Sequence, residues 1–171
     1  MIVRQERAGD ERELAALIDA SFGDSATSAF TARLRRSSGY VPELTFAAEE
    51  DGELVGFTML SYVELEGHER PVLILTPLAV RPDRQRRGIG VAIVQAAVAA
   101  ADERGEPLLL VEGVPAYYPL FGFHSASTLG LEKPHERIPE EAWLALPLSA
   151  YDPSLRGRVV YPDFFPPPPD A

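Results

Sequence analysis

Hydrophobic positions along the chain change their period several times, and each change marks an element. Residues 2–4 read as a short first strand. After Asp10 the apolar positions Leu14, Leu17, Ile18 and Phe22 take the three-and-four spacing of one helical face, and Asp10 followed by Glu13 spells a capping box. A second helix is predicted over 25–36, with Ala26, Ala29, Phe30 and Leu34 turned inward, before Gly39 and Pro42 break the pattern. Residues 44–49 and 54–63 read as strands joined through Asp51-Gly52, a hairpin signal because both turn positions accept positive φ. Residues 72–80 form a further strand, with a bulge or a local loss of pairing at Pro77, which has no N–H to donate.

Residues 88–104 are apolar almost all round, as in a helix laid against a sheet, and Gly105 is a natural C-terminal stop. Residues 107–111 follow as a short apolar strand. Strand, helix and strand in that order predict a right-handed unit with parallel strands, and ligands of open α/β sheets bind beyond the carboxyl ends of such strands, here Val80 and Val111. A short helix is expected over 115–121, a turn at Gly122-Phe123, and strands over 125–131 and 142–148. Pro166 to Pro169 make 164–171 an extended or disordered tail, which leaves 1–163 as a single domain without repeats.

A length of 171 residues suits one domain that buries roughly two-thirds of its unfolded surface. No apolar run approaches the ~20 residues of a membrane span, and Met1-Ile2-Val3-Arg4 lacks a signal-peptide layout, so the expected location is the cytoplasm. The absence of cysteine excludes disulfides, thiolate metal sites and a cysteinyl intermediate. His68, His124 and His135 have no metal-ligand spacing, and no metal is expected.

The net charge of −10 argues against nucleic-acid binding, yet Arg81, Arg84, Arg86 and Arg87 place four of the 16 basic residues within seven positions. These arginines adjoin Gln85-Arg86-Arg87-Gly88-Ile89-Gly90 at the predicted start of the Ala-rich helix. A helix that opens on glycines presents uncovered backbone N–H groups and the positive end of its dipole, which together suit a phosphate or pyrophosphate. A dinucleotide fingerprint is disfavoured, because Ile93 stands where its third glycine would be.

The strand Leu78-Ala79-Val80, then Arg81-Pro82, then Gln85-x-x-Gly88-x-Gly90, and about thirty residues on Tyr118-x-x-x-Gly122-Phe123, together resemble the GNAT superfamily of N-acetyltransferases. The stretches Tyr40-Val41-Pro42-Glu43-Leu44, Pro115-Ala116-Tyr117-Tyr118, Phe121-Gly122-Phe123, Ile138-Pro139-Glu140-Glu141-Ala142 and Val159-Val160-Tyr161-Pro162 are similar to the bacterial YhbS-like acetyltransferases. The resemblance implies an α/β (α+β) fold: a mixed central sheet of about seven strands flanked by about four helices, with a parallel strand-helix-strand cofactor unit. It implies acetyl-CoA as cosubstrate. Leu78, Ala79 and Val80 would run beside its pantetheine arm, and Gln85, Arg86, Arg87, Gly88, Ile89, Gly90 and Val91 would hold its pyrophosphate. Val91 stands where the family often has a hydroxyl residue, which removes a side-chain donor and leaves the backbone donors. Tyr118 matches the general acid that protonates the departing thiolate. Phe121 would touch the cofactor, while Tyr117 and Phe123 pack.

Acetyl transfer needs an amine freed of its proton, so something must accept that proton. Without cysteine, direct attack in a ternary complex is the simpler route, the oxyanion being met by a backbone N–H near Ala79 or Val80. The strand carboxylate that some members of the superfamily carry is missing: residues 72–75 are apolar and Thr76 is a poor base. Glu112, Glu43, Glu64 and Glu66, or a water chain, remain as candidate bases. That gap also admits a second reading, a non-catalytic acyl-CoA sensor or interaction module on the same fold. The acidic surface favours a cationic acceptor, such as a polyamine, an aminoglycoside-like amine or a Lys-rich peptide. The superfamily's habit of dimerising extends here to a homodimer through the C-terminal strands.

Overall fold

Asp51 and Gly52 adopt left-handed backbone conformations (φ 52° and 79°), the geometry of a tight hairpin turn, and the two longest strands diverge from them. In the computed structural model, which describes residues 1–168, these strands are β2 (Tyr40–Glu50) and β3 (Glu53–Leu65). The remaining elements are β1 (Ile2–Gln5), α1 (Glu11–Phe22), α2 (Ala26–Arg35), β4 (Val72–Val80), α3 (Ile89–Glu103), β5 (Leu108–Glu112), β6 (His124–Ser125), β7 (Leu131–Glu132), β8 (Trp143–Pro147) and β9 (Gly157–Val160). The fold is mixed α/β, with nine strands and three α-helices among the described residues. The expectation was about seven strands and about four helices. The difference arises because Tyr118–Phe121 and Ala126–Leu129 close as 3-10 turns, and because β6, β7 and β9 are too short for a hydrophobic period to reveal.

The chain divides into two compact units, Met1–Ser61 with Thr76–Ala100, and Tyr62–Leu75 with Ala101–Ala171. In the first, β1 pairs antiparallel with β2 (Val3 opposite Ala48) and β2 with β3 (Phe46 opposite Thr58). Leu14, Leu17 and Ile18 of α1 and Phe30 and Leu34 of α2 are buried there, as are Ile89, Ile93, Val94 and Ala97 of α3. Gly56 on β3 allows α3 its close approach. A Cβ at that position would lie 2.4 Å from Ile93 Cδ1 and 2.9 Å from Ile89 Cγ2, well inside van der Waals contact.

Three local expectations are corrected in this unit. The capping box does not form. Asp10 Oδ2 instead accepts from the Arg7 N–H (2.8 Å) and Arg4 Nη1 (2.7 Å), while Glu13 Oε1 accepts from the Leu54 N–H (2.9 Å). A buried-side arginine is a stronger partner than a helix amide, and its hydrogen bond holds the Asp10 carboxyl below its ordinary pKa. On α2 the inward face is Phe30, Thr31 and Leu34, whereas Ala26 and Ala29 are exposed. The Thr31 hydroxyl tolerates burial because it donates to the Thr27 carbonyl at 2.8 Å. Phe22, at the end of α1, stays 47% exposed.

In the second unit β4 and β5 pair in parallel, with Leu73 opposite Leu109 and Ile74 opposite Leu110. β5 pairs antiparallel with β8, and β8 with β6. One core gathers Val63, Leu65, Ile74, Leu108, Leu110 and Trp143, and the Trp143 indole N–H donates to the Leu131 carbonyl at 2.9 Å. The strand expected over 125–131 is instead β6, a 3-10 turn and β7. Thr128 Oγ1 donates to the Ser125 carbonyl at 2.6 Å, and such local bonds from hydroxyl residues draw the backbone out of an extended ladder. β9, which no pattern predicted, pairs with both β3 and β7. Of the expected Pro-rich tail, Phe165 N–H closes a turn on the Pro162 carbonyl (3.0 Å) and its ring meets Tyr161; residues 169–171 lie outside the described residues.

Replacing Gly56 with valine should destabilise the protein by about 1–3 kcal/mol, because a branched side chain must displace Ile89 and Ile93. Urea unfolding monitored by circular dichroism measures this, and an unchanged midpoint would mean that α3 does not lie so close to β3.

Candidate functional site

Leu78, Ala79 and Val80 end β4, with Ala79 buried and the other two half-buried. The chain then turns under tight backbone control. The Arg81 N–H donates to the Val55 carbonyl (2.9 Å), and the Gln85 side chain reaches back to the Val80 carbonyl (3.1 Å). Arg86 and Gly88 both take left-handed φ values, 59° and 81°. Arg86 is the uncommon case, since its Cβ is crowded there, and Gly88 occupies this region at no such cost. A Cβ at Gly88 would have nothing within 4 Å. The helical ladder of α3 begins when the Ala92 N–H meets the Gly88 carbonyl at 3.0 Å, so the amides of Ile89, Gly90 and Val91 have no acceptor within the helix. Glycines at 88 and 90 keep side chains away from those donors.

The arginine cluster resolves into two kinds. Arg81 is bound by Asp83 (2.7 Å) and Glu53 (3.0 Å), and Arg84 by Glu50 (3.2 Å), so the hairpin's carboxylates already balance these charges. Arg86 and Arg87 are exposed and make no hydrogen bond or ion pair among the described residues. In a protein of net charge −10, two uncompensated guanidinium groups beside bare helix amides are suited to an anion.

In the second unit, β5 ends at Glu112 and the next residue is Gly113, whose N–H donates to the Ala142 carbonyl (3.0 Å). A Cβ on Gly113 would stand 2.3 Å from Cε2 and 2.8 Å from Cδ2 of Tyr118. The missing side chain is therefore what seats the Tyr118 ring. Tyr117, Phe123 and Phe121 surround that ring at centroid distances of 5.1, 5.6 and 6.4 Å, with the first two edge-on. Burial pushes the Tyr118 phenol well above its ordinary pKa, helped by Tyr117, and its hydroxyl has no hydrogen-bond partner among the described residues. On the other side of the strand end, the Tyr161 hydroxyl donates to Glu112 Oε2 at 3.1 Å. Burial lifts the Glu112 carboxyl above its usual value, and this hydrogen bond partly opposes the lift.

The remaining candidate bases, Glu43, Glu64 and Glu66, are exposed. Each histidine has a local bond: His68 Nε2 lies 3.0 Å from the Arg156 carbonyl, His124 Nδ1 lies 3.5 Å from Thr128, and His135 Nδ1 accepts from the Arg137 N–H at 3.1 Å.

The family model for the acetyltransferase (GNAT) family matches residues 12–123, a span that contains β4, the glycine loop, α3, β5 and Tyr118. The chain belongs to the GNAT family. The Escherichia coli K12 N-acetyltransferase YjhQ is 30% identical over 145 residues, 81% of this chain and 80% of YjhQ. The E. coli K12 N-acetyltransferase YhbS is 30% identical over 129 residues, 74% of this chain and 75% of the relative. The crystal structure of E. coli YhbS in complex with CoA has a TM-score of 0.87 and 25% identity, covering 95% of this chain and 90% of that one. A GNAT acetyltransferase from Brucella melitensis, solved with acetyl-CoA, has a TM-score of 0.79 and 25% identity, covering 96% and 97% of the two chains.

Two residues of this GNAT site escaped sequence reasoning. Gly113 carried a weak signal, a glycine at a strand end, but its partner Tyr118 is fixed only by folding. Tyr161 stood only in a stretch resembling the YhbS-like group, and nothing along the chain tied it to Glu112, 49 residues away.

Replacing Gly113 with alanine should expel the Tyr118 ring from its seat. The expected results are an altered near-ultraviolet circular dichroism spectrum and a stability loss of about 1–3 kcal/mol. A spectrum and unfolding midpoint like those of the wild type would place the ring elsewhere.

Proposed function

We propose that this GNAT protein transfers the acetyl group of acetyl-CoA to a primary amine, by direct attack while both substrates are bound. The observation that carries the proposal is the start of α3: amides without helical partners, an unobstructed glycine at φ 81°, and two uncompensated arginines, all inside the family match. The solved relatives with CoA and acetyl-CoA support the same cosubstrate. Residues 1–163 act as one catalytic domain in this proposal, since β3, β4 and α3 each run through both compact units.

The amides from Gly88 to Val91 and the side chains of Gln85, Arg86 and Arg87 hold the diphosphate. Main-chain groups of Leu78, Ala79 and Val80 align the pantetheine arm, with an N–H of Ala79 or Val80 facing the carbonyl oxygen as it gains charge. Phe121 packs against the arm. The bound thioester supplies an activated acyl carbon; the protein supplies orientation and proton transfer. Tyr118 donates the proton to the leaving thiolate. Its phenol carries its proton at neutral pH, and burial raises its pKa further. Although burial makes a phenol a weaker acid, a thiolate released into the same apolar surroundings is destabilised too, so the pair stays matched closely enough for transfer.

The acceptor is proposed to be cationic, a small amine or a basic peptide, because a field of net charge −10 draws it in. No helix among the described residues is long and apolar enough to cross a membrane, and the proposed setting is the cytoplasm. Association as a homodimer belongs to the same proposal.

Release of free CoA from acetyl-CoA, measured across polyamines, aminoglycosides and lysine peptides at low salt, tests the function. Turnover with cationic amines is expected; cofactor binding without release across the panel would indicate a sensor instead. Tyr118→Phe should slow transfer roughly tenfold or more and leave acetyl-CoA affinity near that of the wild type. Unchanged turnover would remove Tyr118 from the proton path. Gly88→Glu should abolish acetyl-CoA binding in calorimetry, because a carboxylate then fills and recharges the phosphate site; wild-type affinity would refute the diphosphate cradle.

A further inference from the structure

Alternation along β5 separates two chemistries at its end. Leu108 and Leu110 face the core that holds Trp143, with Tyr161 and Phe165 packed against it, and Glu112 continues that row. Glu112 stands opposite Trp143 in the β5–β8 register, and the Tyr161 hydroxyl reaches its Oε2 at 3.1 Å. Gly113 continues the other row, and there the Tyr118 ring occupies the place of a side chain, 2.3 Å from the position a Cβ would take. Two successive residues thus put a carboxylate on one face of the strand and a phenol on the other.

Forming an amide from a thioester makes the same demand. The nitrogen loses a proton on the side from which it attacks, and the sulfur gains one on the side from which it leaves. We propose that Glu112 is the base that deprotonates the acceptor amine, and that Tyr161 is a positioning residue that holds the Glu112 carboxylate in place. This rests on the acetyl-transfer reading above. In balance, the ammonium nitrogen first gives a proton to the Glu112 carboxylate, and the freed amine then forms a C–N bond with the acetyl carbon and loses its second proton to solvent. The C–S bond breaks, and the thiolate takes the Tyr118 phenol proton. Solvent then returns one proton to Tyr118 and removes one from Glu112.

The surroundings of Glu112 suit that task. The residue is open to solvent, where an amine can reach it, while the apolar mass beside it makes its carboxylate a better base than a fully hydrated one. Tyr161 is itself held protonated by burial and by the adjacent carboxylate, so it acts as the donor and occupies only Oε2. Among the described residues, Glu112 faces Trp143, its register partner on β8, and Tyr161 after β9. Tyr161 is the one titratable group among the described residues that acts on the carboxyl. Glu43, Glu64 and Glu66 lack a comparable setting: none has a phenol partner among the described residues.

The test uses full-length Glu112→Gln and Tyr161→Phe, acetyl-CoA, the most active alkylamine of the panel, and hydroxylamine, which is largely unprotonated at neutral pH. Glu112→Gln should lower kcat/KM for the alkylamine about 100-fold, with recovery as pH rises, while hydroxylamine loses less than about tenfold and the acetyl-CoA Kd is unchanged. Tyr161→Phe removes a donor that favours the charged carboxylate. The acid limb of the kcat/KM profile should therefore move up by about one pH unit, with little change above it. Equal losses for both amines, or an unmoved acid limb, would overturn the proposal. If the wild type releases no CoA with any amine, the acetyl-transfer reading fails first. A carbon-13 NMR titration of the Glu112 carboxyl then judges the pairing alone, and no further rise in Tyr161→Phe would overturn it.

Discussion

The close approach of α3 to β3 at Gly56 is the constraint on which the first unit's site depends. Ile89 and Ile93 fill the space a side chain would take, and both are buried. The first of these two isoleucines is also the first residue of the helix. Packing that pins Ile89 therefore pins the amides of Ile89, Gly90 and Val91, and these are the groups with no helical acceptor. A site made of main-chain donors has no rotamers to adjust, so its precision must come from how firmly the helix is seated.

Electrostatics act on top of that geometry. The carboxylates of the hairpin, Glu50 and Glu53, neutralise Arg84 and Arg81, which ties the loop that follows β4 to the turn between β2 and β3. Exposed ion pairs of this kind add little stability, typically about 0–1 kcal/mol, so their effect is better understood as fixing the loop's shape. Arg86 and Arg87 keep a charge that no carboxylate among the described residues balances. In the proposed function that charge meets a phosphate, while the net charge of −10 favours a cationic acceptor.

The second unit repeats the use of an absent side chain for a different end. Gly113 seats Tyr118 as Gly56 seats α3, and in both places the main chain yields room to a ring or a helix. Tyr118 is buried with no hydrogen-bond partner for its hydroxyl among the described residues, whereas the half-buried Tyr161 donates to a carboxylate. One phenol is thus left with its proton uncommitted and the other is committed to Glu112. This contrast supports the proposed roles of Tyr118 as donor to a leaving group and of Tyr161 as support.

The sequence by itself determined the parts whose physics is local. The Asp51-Gly52 turn, the apolar α3 with Gly105 after it, the parallel strand-helix-strand unit and the glycine-opened helix start all follow from φ preferences and periodicity within a few residues. Only tertiary structure decided what depends on partners far along the chain. Asp10 turned from a helix cap to Arg4, and Arg81 and Arg84 were claimed by the hairpin. A strand expected over 125–131 folded into a turn flanked by two-residue strands, and Tyr161 reached Glu112 across 49 residues. A charged side chain takes the strongest partner that folding brings within about 3 Å, and no pattern along the chain records which partner that will be.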